Sequence, residues 1–299
     1  METERGLVIR SQSGFYWVQT PQRQIICHLR GRLKKDSLSA DRIAIGDWVQ
    51  FTPITEEHGV IEAIEPRQRR LSRNAPNPKG DYEQIIIANP DQMVLVFACS
   101  HPEPHLGMLD RYLIIAEKQA IPALIVVNKV DLLDVEEVQK LFEPYPNLGY
   151  RIAYVSAKTG TGIEHLRQEL HDKISVFTGP SGVGKSSLLN RLIPGWNLKV
   201  KEVQHQTHKG RHSTVVREMY PLAEGGFIAD TPGLKALALW DIQPEELDGY
   251  FPEMRALVSQ CAFNDCTHTH EPDCAILNAL KNGKIHPSRY QSYLNIRNG

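Results

Sequence analysis

Ile174-Ser175-Val176-Phe177-Thr178-Gly179-Pro180-Ser181-Gly182-Val183-Gly184-Lys185-Ser186-Ser187-Leu188-Leu189-Asn190-Arg191-Leu192 reads as strand, loop and helix. Ile174–Thr178 is an apolar strand, Gly179–Ser186 fits G-x-x-x-x-G-K-[ST], and Ser187–Leu192 continues as a helix. Glycines let backbone amides turn toward one anion, and the N-terminus of the following helix favours negative charge. Such a cradle places Lys185 against β- and γ-phosphates and the Ser186 hydroxyl on Mg2+. The segment therefore predicts an α/β fold built around a bound nucleotide, and it leaves the base open.

The base is addressed upstream. Asn128-Lys129-Val130-Asp131 follows the apolar strand Ala123–Val127, and Ser156-Ala157-Lys158 follows Tyr150–Val155. The Asp131 carboxylate can accept hydrogen bonds from N1 and N2 of guanine, a donor pair adenine lacks, and a site built for buried hydrogen bonds rejects an analogue that cannot make them. Asn128 is expected to fix this arrangement, the Lys129 stem to pack on the base, and the Ala157 amide to meet the guanine oxygen. Downstream, Asp230-Thr231-Pro232-Gly233 follows the strand Gly226–Ala229. Asp230 is expected to hold Mg2+ through water and the Gly233 amide to bond the γ-phosphate. The base motifs precede the phosphate loop, the reverse of the usual GTPase order, so the chain resembles a circularly permuted GTPase.

Leu234 stands where many GTPases carry a glutamine that orients the attacking water. Gly210-Arg211-His212-Ser213-Thr214 lies in the interval of a first switch. Thr214 is expected to complete the Mg2+ coordination, with Ser213 as the alternative register. His212 is the candidate for orienting or activating water, because imidazole titrates near neutrality. The competing reading makes His212 a surface residue or RNA contact of a mobile basic loop.

Working outward, Met93–Ala98 is a strand, and Leu109–Lys118 and Ile163–Lys173 are helices. Strands alternating with helices predict a mostly parallel sheet covered on both faces, with each site at the C-terminal end of a strand. Leu7–Ile9, Phe15–Val18, Ile25–Leu29, Trp48–Phe51 and Val60–Ile64 are short β-rich runs with no helix between them. They predict a small β-barrel, and the pattern fits an OB-fold and an SH3-like barrel alike. Arg67–Arg73 and Asn74–Gly80 read as a linker. Beyond Asp241, short helical pieces surround a cysteine cluster, and Ser288–Asn295 reads as a helix. The expected domains are a barrel over 1–73, a permuted GTPase domain over 74–240 and a small, mostly helical metal module over 241–299.

Cys261, Cys266, His268 and Cys274 form C-x4-C-x-H-x5-C. Three thiolates and one imidazole close a tetrahedral site suited to one structural Zn2+, with His270 as the rival imidazole. Cys27 and Cys99 sit in apolar stretches and read as small core residues. Five cysteines in 299 residues do not suggest a disulfide framework. No apolar run approaches a membrane span, and Met1–Arg5 lacks the pattern of a signal peptide, so a cytoplasmic protein without a membrane partner is expected. The formal net charge of −1 leaves nucleic-acid binding to local patches, of which Arg67–Arg73 and Lys199–His212 are the candidates.

Taken together, Asn-Lys-Val-Asp, Ser-Ala-Lys, Gly-Pro-Ser-Gly-Val-Gly-Lys-Ser-Ser, Gly-Arg-His-Ser-Thr, Asp-Thr-Pro-Gly and the cysteine cluster resemble the RsgA (YjeQ) family of small-ribosomal-subunit GTPases over the whole chain. The resemblance implies an OB-fold N-terminal domain, GTP hydrolysis stimulated by the small subunit, and a role in late subunit maturation. It implies that His212 serves catalysis alongside Lys185 and Thr214. GTP or GDP would be held by Asn128, Lys129, Asp131, Ser156, Ala157, Lys158, Gly179, Pro180, Ser181, Gly182, Val183, Gly184, Lys185, Ser186, Ser187, Asp230 and Gly233. One departure is visible: the family often has a run of threonines after the histidine, where this chain has Ser213-Thr214-Val215. The expected partners are the small subunit, its rRNA and GTP, with Mg2+ and one Zn2+ bound and the chain acting as a monomer. The alternative is a GTP-gated RNA-binding module in which hydrolysis is incidental. A P-loop ATPase or kinase is argued against by Asp131.

Overall fold

The structure, a computed structural model, describes residues 2–31, 43–75, 82–193, 195, 217–230 and 242–298. The strands are β1 (Glu4–Gln12), β2 (Phe15–Gln19), β3 (Gln24–Leu29), β4 (Trp48–Pro53), β5 (His58–Ile64), β6 (Arg70–Ala75), β7 (Tyr82–Ala88), β8 (Gln92–Ala98), β9 (Ala123–Asn128), β10 (Arg151–Tyr154), β11 (Ile174–Thr178), β12 (Arg217–Pro221) and β13 (Phe227–Asp230). The helices are α1 (Leu106–Lys118), α2 (Val135–Leu141), α3 (Pro144–Asn147), α4 (Ile163–Leu170), α5 (Lys185–Leu192), α6 (Pro252–Arg255), α7 (Ala275–Lys281) and α8 (Pro287–Arg297). The chain divides into two compact units, one of residues 1–93, 163–178 and 185–234, the other of residues 94–162, 179–184 and 235–299.

In the first unit, β1 to β5 close into a barrel. Their alternation is the reason: along β3, Ile25, Cys27 and Leu29 point inward while Gln24 and His28 face out. Val8, Val18, Val49, Phe51 and Ile61 complete the core. β1 pairs antiparallel with β2 and β4, β2 with β3 and β4 with β5, whereas β3 and β5 run parallel. The ring order 1-2-3-5-4 is a Greek-key barrel of the OB type. At Gly6 a Cβ would stand 2.4 Å from Val18 Cγ1, so β1 and β2 pack this closely only around a glycine. Cys27 is a core residue as expected, and burial pushes its thiol up to about 12.

The first part of the stretch read as a linker, up to Ala75, is instead structured, while residues 76–80 lie outside the described residues. β6 and β7 pair antiparallel from Arg70↔Ala88 to Ala75↔Tyr82. Arg67 grips the fully buried Asp47 through two 2.7 Å bonds, and Asp47 also accepts the Ala44 amide at 2.8 Å. Arg70 Nε reaches Glu83 at 2.8 Å and Arg73 Nε reaches Gln84 at 2.9 Å. Within the arginine-rich run, Arg67 and Arg70 are thus paired with carboxylates of the fold and Arg73 with a neutral amide. The composition misleads because the partners are 11 to 20 residues away in sequence.

The remaining strands of this unit continue the sheet in the order β11-β13-β12-β1. β11 and β13 are parallel, and β12 is antiparallel to both of its neighbours. Arg167 on α4 binds the last turn of α5, with Nη2 on the Arg191 carbonyl at 2.6 Å and Nη1 on that of Leu192 at 3.2 Å.

In the second unit, β10, β9 and β8 lie side by side, with β9 and β10 parallel and β8 buried along its whole length. Helix α1 buries Leu109, Leu113, Ile114 and Ile115. Ile114 joins Leu247, Phe251, Met254, Ile276, Ile285 and Tyr293 in one core, which holds the C-terminal helices against α1. Arg289 of α8 is fully buried in this core. Its Nη1 bonds Asp110 of α1, and its Nε bonds Glu253 of α6 at 2.7 Å. No helix among the described residues is long and apolar enough to cross a membrane.

Candidate nucleotide site and metal centre

β9 is buried over five of its six residues and delivers Asn128 to the end of the strand. The Asn128 side chain is fully buried and bridges two loops. Its Nδ2 donates to the Val183 carbonyl at 2.8 Å, and its Oδ1 accepts the Ala157 amide at 3.0 Å. Val183 belongs to the phosphate loop and Ala157 to Ser156-Ala157-Lys158, so one amide side chain ties three sequence motifs together. Gly184 makes this possible: a Cβ there would sit 2.5 Å from Asn128 Nδ2.

Lys129 adopts a left-handed backbone with φ of 66°, which costs about 1–2 kcal/mol for a residue with a side chain. Its Nζ donates to the Gly182 carbonyl at 2.7 Å and to that of His101. The aliphatic stem is thereby stretched along the phosphate loop. Asp131 is exposed, and its Oδ1 accepts the Ser156 hydroxyl at 2.6 Å. Ser156 is fully buried and its Oγ also accepts the Thr159 amide at 3.1 Å. This fixes one edge of the carboxylate and leaves the other to a ligand. Lys158 is exposed.

Gly179 has a φ of 147°, and a Cβ there would lie 2.0 Å from the Val96 carbonyl oxygen of β8, so the loop turns only on glycine. Gly182 and Gly184 also take positive φ, at 81° and 90°. Ser181 and Gly182 are exposed, Pro180 is half-buried and Val183 is buried. Lys185 and Ser186, next in the chain, open α5, and Ser187 is exposed on its first turn. Asp230 is the last residue of β13, in register with Phe177 of β11. His212, Ser213, Thr214, Gly233 and Leu234 lie outside the described residues, as does the basic stretch 199–212.

The second cluster is in the C-terminal part of the chain. Donor atoms of Cys261, Cys266, His268 and Cys274 all lie within 4.8 Å of one another. His268 Nδ1 is 3.7 Å from Cys261 Sγ and 3.4 Å from Cys274 Sγ. Its other nitrogen, Nε2, is 2.9 Å from Asp248 Oδ2. A carboxylate on Nε2 fixes the tautomer and turns the Nδ1 lone pair toward the thiols. Tyr290 and Tyr293 donate their hydroxyls to the His268 and Thr267 carbonyls at 2.7 and 3.1 Å, pinning the ligand loop to α8. His270 is exposed and bonded to Thr269 Oγ1, so it is not part of the cluster. A soft Cys3His donor set, with His268 and Cys274 buried and Cys261 and Cys266 half-buried, fits a divalent metal ion. Asp248 escaped the sequence reading, because it lies 20 residues before His268 with no motif to announce it.

An Asn-Lys-x-Asp turn locked to a phosphate loop that follows it in the chain defines a circularly permuted P-loop GTPase. The family model described as RsgA GTPase matches residues 64–240, and that described as RsgA N-terminal domain matches residues 5–61. A curated relative from Gemmatimonas aurantiaca, named small ribosomal subunit biogenesis GTPase RsgA, is 43% identical over 98% of this chain and 96% of its own. The chain belongs to the RsgA GTPase family. Among solved structures, YjeQ from Thermotoga maritima superposes with a TM-score of 0.81 at 37% identity, covering 99% of this chain and 98% of that one. YloQ, described as a circularly permuted GTPase, gives 0.77 at 30% identity, covering 99% and 94%.

Proposed function

We propose that this protein is a GTPase that binds the small ribosomal subunit late in its maturation, hydrolyses GTP when the subunit stimulates it, and is released as a result. The observation that carries the reading is the Asn128 side chain, which joins the phosphate loop to the base-reading loops as guanine recognition requires. The names borne by its relatives support the same reading and do not favour a module in which hydrolysis is incidental.

In this reading Asp131 and the Ala157 amide read guanine, with Asn128, Lys129, Ser156 and Lys158 shaping that pocket. Gly179 to Ser187 cradle the phosphates, and Lys185 meets the β- and γ-phosphates. Ser186, Thr214 and Asp230 would hold Mg2+, which neutralises phosphate charge when bound. The Gly233 amide would meet the γ-phosphate. Leu234 has no polar group to orient water, so that work is assigned to His212. Cys261, Cys266, His268 and Cys274 would hold one structural Zn2+. Residues 1–73 serve as an RNA-binding barrel, 74–240 as the GTPase domain and 241–299 as the zinc module, in a cytoplasmic monomer that needs no membrane.

Steady-state GTP hydrolysis with and without purified small subunits tests the reading. Free turnover is expected near ~10⁻⁴ per second, with a gain of up to roughly 10⁵-fold on the subunit. Equal rates in the two conditions would remove the proposed coupling. An undiminished stimulated rate in His212→Ala would remove the role of that residue alone.

The zinc assignment has its own test. Asp248→Ala is expected to weaken metal binding about 10- to 100-fold, because His268 loses the group that orients it. Chelator competition followed by metal release measures this directly. Release as slow as in the unmodified chain would show that Asp248 does not position the ligand.

A further inference from the structure

The stretch between Cys266 and Cys274 carries the one imidazole of the metal cluster and turns sharply to present it. His268 takes a left-handed backbone, with φ of 60°, which is uncommon for a residue with a Cβ. Its ring is fully buried. Cys266 stands only two positions earlier, so the chain has little freedom in bringing both donors to one ion. The turn needs something to hold it.

Glu271 holds it. Its Oε1 accepts the Thr267 amide at 2.7 Å and the Thr267 hydroxyl. Its Oε2 accepts the amides of Thr269 at 2.9 Å and His270 at 3.1 Å. One carboxylate thus gathers three backbone N–H groups from residues 267–270, and an ionised acceptor makes such bonds stronger than neutral ones. The Thr267 and Thr269 hydroxyls lie 2.7 Å apart and link the two sides of the turn. The carbonyls of the same stretch are answered by the Tyr293 hydroxyl at Thr267 and the Tyr290 hydroxyl at His268. None of these bonds uses a sulfur or the His268 ring. Both Glu271 oxygens are engaged, and Glu271 stands outside the group of four donors that face one another.

We propose that Glu271 is a positioning residue of the metal site: it holds residues 267–271 in their ligating shape before the ion arrives, and it does not itself bind the ion. Small metal loops commonly take their shape from the ion, so that binding and folding are one event. Here the shape is set by bonds that do not involve the ligand atoms, and the ion meets a loop already ordered. The cost of ordering that loop is not charged to metal binding, so Glu271 raises affinity from outside the ligand set. The inference rests on the metal reading above.

The test uses the full chain, Glu271→Gln and Glu271→Ala. Glutamine is close to glutamate in shape, but whichever way its amide turns, an NH2 group faces backbone N–H donors. Zn2+ is titrated into the metal-free proteins against a chelator, and guanine-nucleotide affinity serves as the folding control. Both variants are expected to bind Zn2+ about 10- to 100-fold more weakly, with nucleotide affinity unchanged. In the metal-free state, hydrogen exchange over residues 267–270 should be protected in the unmodified chain and at least about ten-fold faster in the variants. At saturating Co2+ the visible spectrum should be the same in all three proteins, because the ligands are the same. Zn2+ affinity that survives both substitutions, or loop amides that exchange freely in the unmodified metal-free chain, overturns the inference alone. A changed Co2+ spectrum makes Glu271 a ligand and overturns it as well. An unmodified chain that takes up no Zn2+ overturns it together with the metal reading.

Discussion

Replacing Arg289 by Ala is expected to destabilise the fold by about 3–5 kcal/mol. Arg289 is 1% exposed and faces two carboxylates that are almost as buried, Asp110 at 1% and Glu253 at 4%. It bonds Asp110 through Nη1 and Glu253 through Nε at 2.7 Å and Nη2 at 3.3 Å, and it stacks 4.6 Å from the Phe251 ring. The Tyr145 hydroxyl adds a 3.0 Å bond to Asp110. Burial opposes the Arg289 charge, but the two carboxylates outweigh it and hold the guanidinium above its ordinary value. Removing it leaves negative charge buried with no cation, the costly way to break such a pair. Urea denaturation measures the loss, and a change below about 1 kcal/mol would show that the network is not what seats α8 on α1.

The defect should also depend on pH. Burial already pushes the Asp110 carboxyl up, and in the variant nothing cationic opposes it. The folded variant then holds a proton that the unfolded chain has released. The contribution of this carboxyl to stability is therefore fully present below the ordinary aspartate range and is lost as pH rises through the raised folded value. A deficit that is flat between pH 4 and 8 would mean Asp110 does not carry the uncompensated buried charge.

What could be read from the sequence was what local chemistry dictates. The phosphate loop was legible because Gly179 and Gly184 occupy conformations and spaces closed to other residues. The barrel strands were legible because Ile25, Cys27 and Leu29 alternate with polar neighbours. The cysteine–histidine cluster was legible because four residues of metal-ligating types fall within fourteen positions. What escaped was partnership over distance. Arg67 looks like a linker charge until Asp47 is seen beneath it. Asp248 has no signature except its position against His268. Arg289 is a cation in a polar helix that the fold buries. β12, Arg217–Pro221, mixes charge with apolar residues and becomes a strand only because β13 and β1 flank it.

Asn128→Ala is expected to weaken GTP and GDP binding about 100-fold without unfolding the chain. The side chain is 1% exposed, and its amide is the partner of both the Val183 carbonyl and the Ala157 amide. Truncation removes the side-chain partner of both groups, at about 1–3 kcal/mol each. Part of that cost is relieved in the free protein if the phosphate loop and the Ser156–Lys158 turn drift apart. It returns on binding, because base and phosphates demand both loops at once. A net penalty near 2.7 kcal/mol corresponds to the hundredfold loss. Asn128→Asp refines the argument: it keeps the acceptor for Ala157 but sets a carboxylate oxygen against the Val183 carbonyl, so it should bind no better than the alanine variant. Titration of a fluorescent guanine nucleotide reads both. If Asn128→Asp binds like the unmodified chain, the bond to Val183 contributes nothing and the phosphate loop is held by its glycines alone.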